Sequence, residues 1–329
     1  LAYHGLRQLN HNPSIGLKAI IDVCGLRDKE IKINDLIFKI GPRINASGRI
    51  QTGKEAVDLL TEKNYAKALE LSNQINEYNE ARKDLDKTMT EEANTIVDNL
   101  EGLSEKRSIV LYNEDWHRGV IGIVASRLTE LFYRPSVVLT KTNDLATGSA
   151  RSVADFDVYK AIESCRDLLD NFGGHPYAAG LSLKVENVEE FARRFEEYVT
   201  DNIHPTQTDA VINIDAELTF KDISIKLHND LRRFEPFGPE NPKPIFYTRN
   251  VYDYGTSKVV GHNQEHIKLE LVDNQSSRVM NGIAFGQSEQ ARYIKSKQAF
   301  DICYTIAENS HKRGEVQLQI ESIKPKTEA

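Results

Sequence analysis

The sequence predicts a multidomain α/β plus β protein: short helices, a long connecting helix, a small α/β domain and a terminal β-barrel. Three observations carry this. Tyr65 to Leu100 contains neither Gly nor Pro and repeats apolar residues at roughly helical spacing. Between Ser108 and Ile203, strand-like and helix-like runs alternate. Beyond Asp209, short strand-like runs separated by Gly, Asn and Asp turns dominate.

Residues 1 to about 62 read as short helices with breaks at Asn12-Pro13, Gly25 and Gly41-Pro42. The next segment places Leu69, Leu71, Ile75, Tyr78, Leu85, Met89, Ala93, Ile96 and Val97 on one helix. At 1.5 Å per residue it is about 50 Å long, more than one compact domain needs, so it reads as a bridge between two. Then come a strand at Ser108–Tyr112, an amphipathic helix at His117–Phe132, and strands at 135–140 and 147–151. A helix over 157–169 leads to a Gly-Gly-His turn and the alternating strand Leu181-Ser182-Leu183-Lys184-Val185, and a helix at Val188–Ile203 closes the unit. His204 to Thr208 reads as a linker. After a helix near 223–234, strands are expected at 245–254, 257–260, 266–272, 278–285, 300–307 and 315–323, with a small helix near 289–294. That pattern suits a five-stranded Greek-key barrel.

The 329 residues suffice for two or three domains. No apolar run approaches the roughly 20 residues that span a bilayer. The chain opens at Leu1 inside a helical pattern without a signal peptide, as a cut through a larger protein would. Cys24, Cys165 and Cys303 are odd in number and far apart, which suggests neither a disulfide framework nor a zinc knuckle and fits a reducing cytoplasm. A formal charge of −7 gives no bulk attraction to nucleic acid, so any polyanion site must be a local cluster of Arg and Lys.

Several runs could carry chemistry. Gly41-Pro42-Arg43-Ile44-Asn45-Ala46-Ser47-Gly48-Arg49 reads as a compact polar turn, with Arg43 and Arg49 suited to clamping a phosphate or to bridging carboxylates. In Gly148-Ser149-Ala150-Arg151-Ser152, strand alternation points Ser149 and Arg151 the same way, ahead of a helix starting near Asp155. Backbone amides at such a junction face an anion; the alternative is a capping serine with a surface arginine. Trp116 either stacks on a base or fills the core, the latter favoured. Glu114, Asp115 and His117 are too crowded for clear metal geometry, and Asp115 reads better as a helix N-cap. In Phe172-Gly173-Gly174-His175-Pro176-Tyr177-Ala178-Ala179-Gly180, two glycines let backbone approach a ligand that His175 reaches, and the small residues behind them remove bulk. In the barrel, Tyr252, Tyr254, Lys258, His262, His266, Lys268 and Arg313 either interleave stacking with charge along a single strand or serve the core. No Gly-x-Ser-x-Gly elbow, phosphate-binding P-loop or Asp-His-His cluster is present.

Taken in order, the 41–49 run, Trp116-His117-Arg118-Gly119-Val120-Ile121-Gly122-Ile123-Val124-Ala125-Ser126-Arg127, the 148–152 run and the 172–180 run closely resemble the RecJ family of the DHH phosphoesterase superfamily. The resemblance implies four segments: the end of a DHH domain (1–64), a connecting helix (65–104), a DHH-associated α/β domain (105–204) and an OB-fold nucleic-acid-binding domain (205–329). It implies a single-strand-specific 5′-to-3′ DNA exonuclease, a hydrolase of DNA repair and recombination, as the parent protein. Its Mn²⁺ or Mg²⁺ ions, bound by residues upstream of Leu1, would activate water and stabilise the leaving oxygen. This chain, without that metal centre, would supply substrate grip and be inactive alone. By the same resemblance Arg49 lies near the reacting phosphate, Arg127, Ser149 and Arg151 surround the 5′ phosphate, and His175 with Gly173 and Gly174 lines the nucleotide site. Arg43 and His117 complete the substrate-binding set. The implied partners are single-stranded DNA with a 5′ end and a single-strand-binding protein or helicase; the implied state is a cytoplasmic monomer without membrane contact. Two other readings remain open. One is a DHH-type oligoribonuclease or nucleotide phosphatase, against which the terminal barrel argues. The other is a non-catalytic nucleic-acid-binding scaffold.

Overall fold

The computed structural model describes residues 1–100, 102–276, 278–309, 312 and 314–326. Two compact units divide between Ala210 and Val211. In the first, α1 (Ala2–His11), α2 (Ile15–Val23), α3 (Ile33–Asp35), a wide π-turn over Leu36–Ile40, α4 (Gly41–Ile50) and α5 (Lys54–Thr61) bury Leu9, Ile20, Ile40 and Leu59. Gly41 and Pro42 open α4 rather than end the element before it. Ile40 is already helical and the Gly41 amide donates to the Leu36 carbonyl five residues back, so the chain runs from the π-turn into α4 without a break at Pro42. The expected polar turn over 41–49 is therefore a helix, and Gly48 lies inside it.

The side chain of Asn64 accepts from the Lys67 amide at 3.2 Å and starts α6 (Tyr65–Asp98), 34 residues long. Its buried stripe runs Ala68, Ser72, Ile75, Asn79, Asp86, Met89, Ala93, Val97. Ala68 and Ile75 join the helical core, whereas Met89, Ala93 and Val97 join Trp116, Val124 and Leu128 further along. The middle of the stripe is polar.

The α/β part contains β1 (Ile109–Tyr112), α7 (Ile121–Phe132), β2 (Ser136–Thr142), β3 (Leu145–Arg151), α8 (Val158–Glu163), β4 (Leu169–His175), β5 (Ala178–Lys184) and α9 (Val188–Asn202). The sheet order is β1-β2-β3-β5-β4, with β1 and β2 parallel and every other pair antiparallel. Val137, Leu139, Ala146, Ala150, Ala179, Leu181 and Leu183 alternate onto one face and pack against Phe191 and Phe195 of α9 and Ala161 of α8. On the other face Val138 packs with Val124 and Leu128 of α7. Expected strands and helices match here within a few residues, with two corrections. The helix expected over 157–169 stops at Glu163 and resumes as a 3₁₀ turn at Arg166–Leu168. Gly173, Gly174 and His175 are extended at the end of β4, and the turn is Pro176-Tyr177. A Cβ on Gly174 would stand 2.5 Å from the Ala179 Cα, so that glycine serves close strand packing rather than a bend. The segment expected as a linker holds a 3₁₀ turn, Pro205–Gln207.

The second unit contains β6 (Ala216–Glu217), α10 (Ile225–Arg232), β7 (Phe246–Asp253), β8 (Lys258–Val260), β9 (His266–Asp273), β10 (Val279–Ala284), α11 (Ala291–Ile294), β11 (Phe300–Glu308) and β12 (Val316–Pro325). Pairing runs β7-β11-β12-β10-β9 and returns to β7, closing a five-stranded barrel in which β10 and β12 are parallel. Leu269, Met280, Phe300, Tyr304 and Leu318 fill it. No helix among the described residues is long and apolar enough to cross a membrane. Cys24, Cys165 and Cys303 are free thiols, each pushed up in pKa mainly by burial.

Candidate functional site

Helix α7 packs on β2 and β3 and leaves the same face of β5 and β4 open. The step between them is a cleft of about 790 Å³, lined by Arg49, Arg118 and Arg151 and by no carboxylate. Strand register organises its floor into rows. Arg151 pairs with Ala178 and Ala178 with His175; Ser149 pairs with Gly180 and Gly180 with Gly173; Thr147 pairs with Ser182 and Ser182 with Asn171.

Arg151 lies across this floor, donating from Nη1 to Ser149 Oγ at 2.8 Å and to the Ala150 carbonyl at 2.7 Å. A Cβ on Gly122, in the first turn of α7, would stand 3.0 Å from both Arg151 Nη2 and Ser149 Oγ. Only a bare helix turn leaves room for the guanidinium. Burial pushes the Arg151 pKa down, and the charge of nearby Arg49 adds to the effect. Arg49 Nη1 donates to the Gly119 carbonyl at 3.1 Å. The chain is drawn close there: a Cβ on Gly119 would lie 2.0 Å from the Arg49 carbonyl oxygen. Among the described residues, neither Arg49, Arg118 nor Arg151 has an ion-pair partner within 4.0 Å. An anion would be the natural complement.

Of the residues singled out from sequence, Arg49, Ser149, Arg151 and Gly173 line this cleft. Arg43 and Arg49, six positions apart on α4, point to different sides of the helix. Arg43 donates from Nε to Asn76 Oδ1 at 2.8 Å and from Nη1 to the Lys39 carbonyl at 2.9 Å, tying α4 to α6. Arg127 grips Asp86 of α6 with Nε–Oδ1 and Nη2–Oδ2 both 2.8 Å. His117 Nδ1 accepts from the Gly119 amide at 3.1 Å. His175 is exposed at the hairpin end, and Gly174 is packed against β5.

Two local expectations are corrected. Asp115 caps no helix, because α7 starts at Ile121; its amide donates to Asn113 Oδ1 at 3.0 Å. The backbone of 148–151 is paired with β2 on one side and β5 on the other, and α8 starts only at Val158 with Asp157 as its cap. Side chains, not strand-end amides, thus face the cleft. Trp116 is a core residue, as favoured, its Nε1 donating to Glu92 Oε2 at 2.8 Å. Sequence reasoning missed Arg118, Asn171, Arg82 and Asp86 as site residues. Polar residues on the buried stripe of α6 were the available signal for the last two.

On the barrel, Lys258 and Lys268 are register partners on exposed positions, and His266 makes an edge contact with exposed Phe285, ring centroids 5.0 Å apart. Like charges directly opposite destabilise a strand pair. Tyr254 and His262 are exposed and Tyr252 is half-buried; Arg313 lies outside the described residues.

Comparison with known proteins defines the class first. Residues 105–201 match the DHHA1 domain and residues 214–322 the RecJ OB domain. The chain is 34% identical over 291 residues to the single-stranded-DNA-specific exonuclease RecJ of Bacillus subtilis (strain 168), covering 88% of this chain and 36% of that protein. It is 30% identical over 334 residues to the same-named protein of Haemophilus influenzae (strain ATCC 51907 / DSM 11121 / KW20 / Rd), covering 99% and 58%. The crystal structure of RecJ in complex with Mg²⁺ from Thermus thermophilus matches with a TM-score of 0.82 and 25% identity, over 99% of this chain and 48% of that one. The chain belongs to the RecJ family. It spans 36% and 58% of the lengths of those two relatives.

RecJ of Thermus thermophilus is also known in complex with Mn²⁺. Among the described residues here, no group of three or more His, Cys, Asp or Glu side chains converges so as to hold a metal ion. These residues do not fit such a centre.

Proposed function

We propose that this chain is the substrate-gripping portion of a RecJ-like, single-strand-specific 5′-to-3′ DNA exonuclease, with metal-dependent hydrolysis carried by residues outside it. One observation carries the reading: three arginines and no carboxylate line the cleft, and one of them, Arg151, is half-buried and held against Ser149 without a counter-ion. A terminal phosphate complements that charge. Arg151 and Ser149 would supply donors to its oxygens, Arg49 would face it from α4, and the positive end of the α7 dipole would add to the attraction. Arg127 acts at one remove: its bond to Asp86 fixes α7 against α6 and so places Gly122 and Gly119 at the cleft. Lys258, Lys268 and the exposed aromatics of the barrel would hold the strand further from its end by charge and stacking.

The test is binding of this chain to fluorescent single-stranded DNA bearing a 5′ phosphate or a 5′ hydroxyl at low salt. The phosphate end is expected to bind tighter. Loss of one charge-assisted hydrogen-bonding group costs about 1.5–3 kcal/mol, so Arg151→Ala should reduce phosphate-end affinity roughly 10- to 100-fold and leave hydroxyl-end affinity nearly unchanged. Equal binding of both ends by the unaltered chain would place end recognition elsewhere and leave the barrel as a general strand binder.

A further inference from the structure

We propose that the third row of the cleft floor, Thr147, Ser182 and Asn171, is a hydrogen-bonding subsite for the base edge of the 5′-terminal nucleotide. The inference rests on the phosphate reading of Arg151 and Ser149 and extends it along the same sheet face.

Thr147, Ser182 and Asn171 are register neighbours on β3, β5 and β4, and all three line the cleft. Among the described residues their side chains make no hydrogen bond within the protein, unlike Ser149 and Arg151 in the same cleft. They lie two residues along the strands from the Ser149 row, about 7 Å at 3.3–3.4 Å per residue. A nucleotide whose phosphate is held at Ser149 and Arg151, and which extends this way along the strands, would bring its base to the row.

The placement of Asn171 depends on an irregularity. Leu169 pairs with Leu183, yet Asn171 pairs with Ser182, so Asp170 is an extra residue in β4. Regular pairing would set Asn171 opposite Leu181 and turn its amide toward the α8–α9 core. The bulge reverses the alternation: Phe172 faces the core with Leu181, and Asn171 faces the cleft. The bulge thus does two things at once: it packs Phe172 against Tyr159 of α8, ring centroids 5.6 Å apart, and it turns the Asn171 amide into the arginine-lined cavity.

The chemistry of the row selects the base over a second phosphate. It offers two hydroxyls and an amide, each able to donate and accept, and no cation; Arg151 stands two rows away, and Arg49 and Arg118 lie off the sheet. A neutral donor–acceptor set matches a base edge or its carbonyl and amino groups. Between the rows, Gly180 and Gly173 face each other without side chains, and a Cβ on Gly173 would meet nothing within 4 Å. The floor is flat there, with room for a sugar.

The experiment compares two 5′-phosphorylated oligonucleotides that differ only in whether the terminal residue carries thymine or is abasic. This chain is expected to bind the thymine-ended probe about fivefold more tightly, the yield of one or two net hydrogen bonds. Asn171→Ala and Ser182→Ala, both at solvent-facing positions, should each bring that ratio to within about twofold and leave abasic-probe affinity unchanged. A ratio unaltered by both variants, or an equal loss on both probes, overturns the subsite. Preference for phosphate over hydroxyl ends, measured on the same proteins, reports separately on Arg151; its retention while the base ratio stays fixed refutes the subsite and leaves the phosphate reading standing.

Discussion

Asp86 provides the sharpest test of how the first unit is held together. It sits mid-way along α6 and is 3% exposed. Its carboxylate accepts from Arg127 Nε and Nη2 at 2.8 Å each, from Thr90 Oγ1 at 3.4 Å and from Arg82 Nη1 at 3.5 Å. Asp86→Ala removes all four acceptor contacts and leaves Arg82, whose side chain is 14% exposed, facing Arg49 and Arg127 with Glu80 as its remaining counter-charge. Breaking a fully buried ion pair costs about 3–5 kcal/mol, but half of Arg127 is in water, so about 2 kcal/mol is expected. Trp116 is the sole tryptophan and packs with Met89 and Ala93 of α6, so its fluorescence during urea unfolding reports on this region. A destabilisation below about 0.5 kcal/mol would refute the claim that this carboxylate joins α6 to α7.

Two further perturbations probe the same reasoning elsewhere. Gly119→Ala puts a Cβ within 2.0 Å of the Arg49 carbonyl oxygen and must push α4 from the start of α7; a loss of about 2 kcal/mol or more in Trp116-monitored unfolding is expected, together with weaker binding of 5′-phosphorylated strands. Asp301 of the barrel is pushed up in pKa by burial, but Lys326, Tyr247 Oη at 2.5 Å and the Asn250 amide at 2.9 Å outweigh this and hold it below the ordinary 3.8. A carboxyl depressed on folding adds stability above its ordinary pKa and loses it as pH falls through the folded value. Asp301→Asn should therefore cost the barrel about 2 kcal/mol at pH 7 and flatten its loss of stability below about pH 4, read by hydrogen-exchange labelling of barrel peptides during urea unfolding. An acid limb as steep as before would show that other carboxylates set it.

Legibility differed between fold and cleft for a physical reason. Periodicity is local, so α6, the strands flanking the 172–180 run and the barrel strands could be read within a few residues. Turn chemistry was less certain: Gly41-Pro42 and Gly173-Gly174 carry the composition of breaks, yet proline suits a helix start and glycine suits crowded strands. In the cleft, strand alternation alone put Ser149 and Arg151 on one face. Arg43 and Arg127 had the right residue type, but neighbours far along the chain, Asn76 and Asp86, bind them.

The sequence by itself determined the order of elements, the apolar face of each and the motifs that mark the family, because each depends on residues a few positions apart. Which arginines remain free for an anion was decided only by the tertiary structure. That outcome depends on what α6 presents at Asn76, Asn79 and Asp86 and on the bare backbone at Gly119 and Gly122, just as only the folded sheet, through a one-residue bulge, turns Asn171 outward. A guanidinium binds whichever acceptor the fold brings within about 3 Å, and residue type alone does not say which one that is.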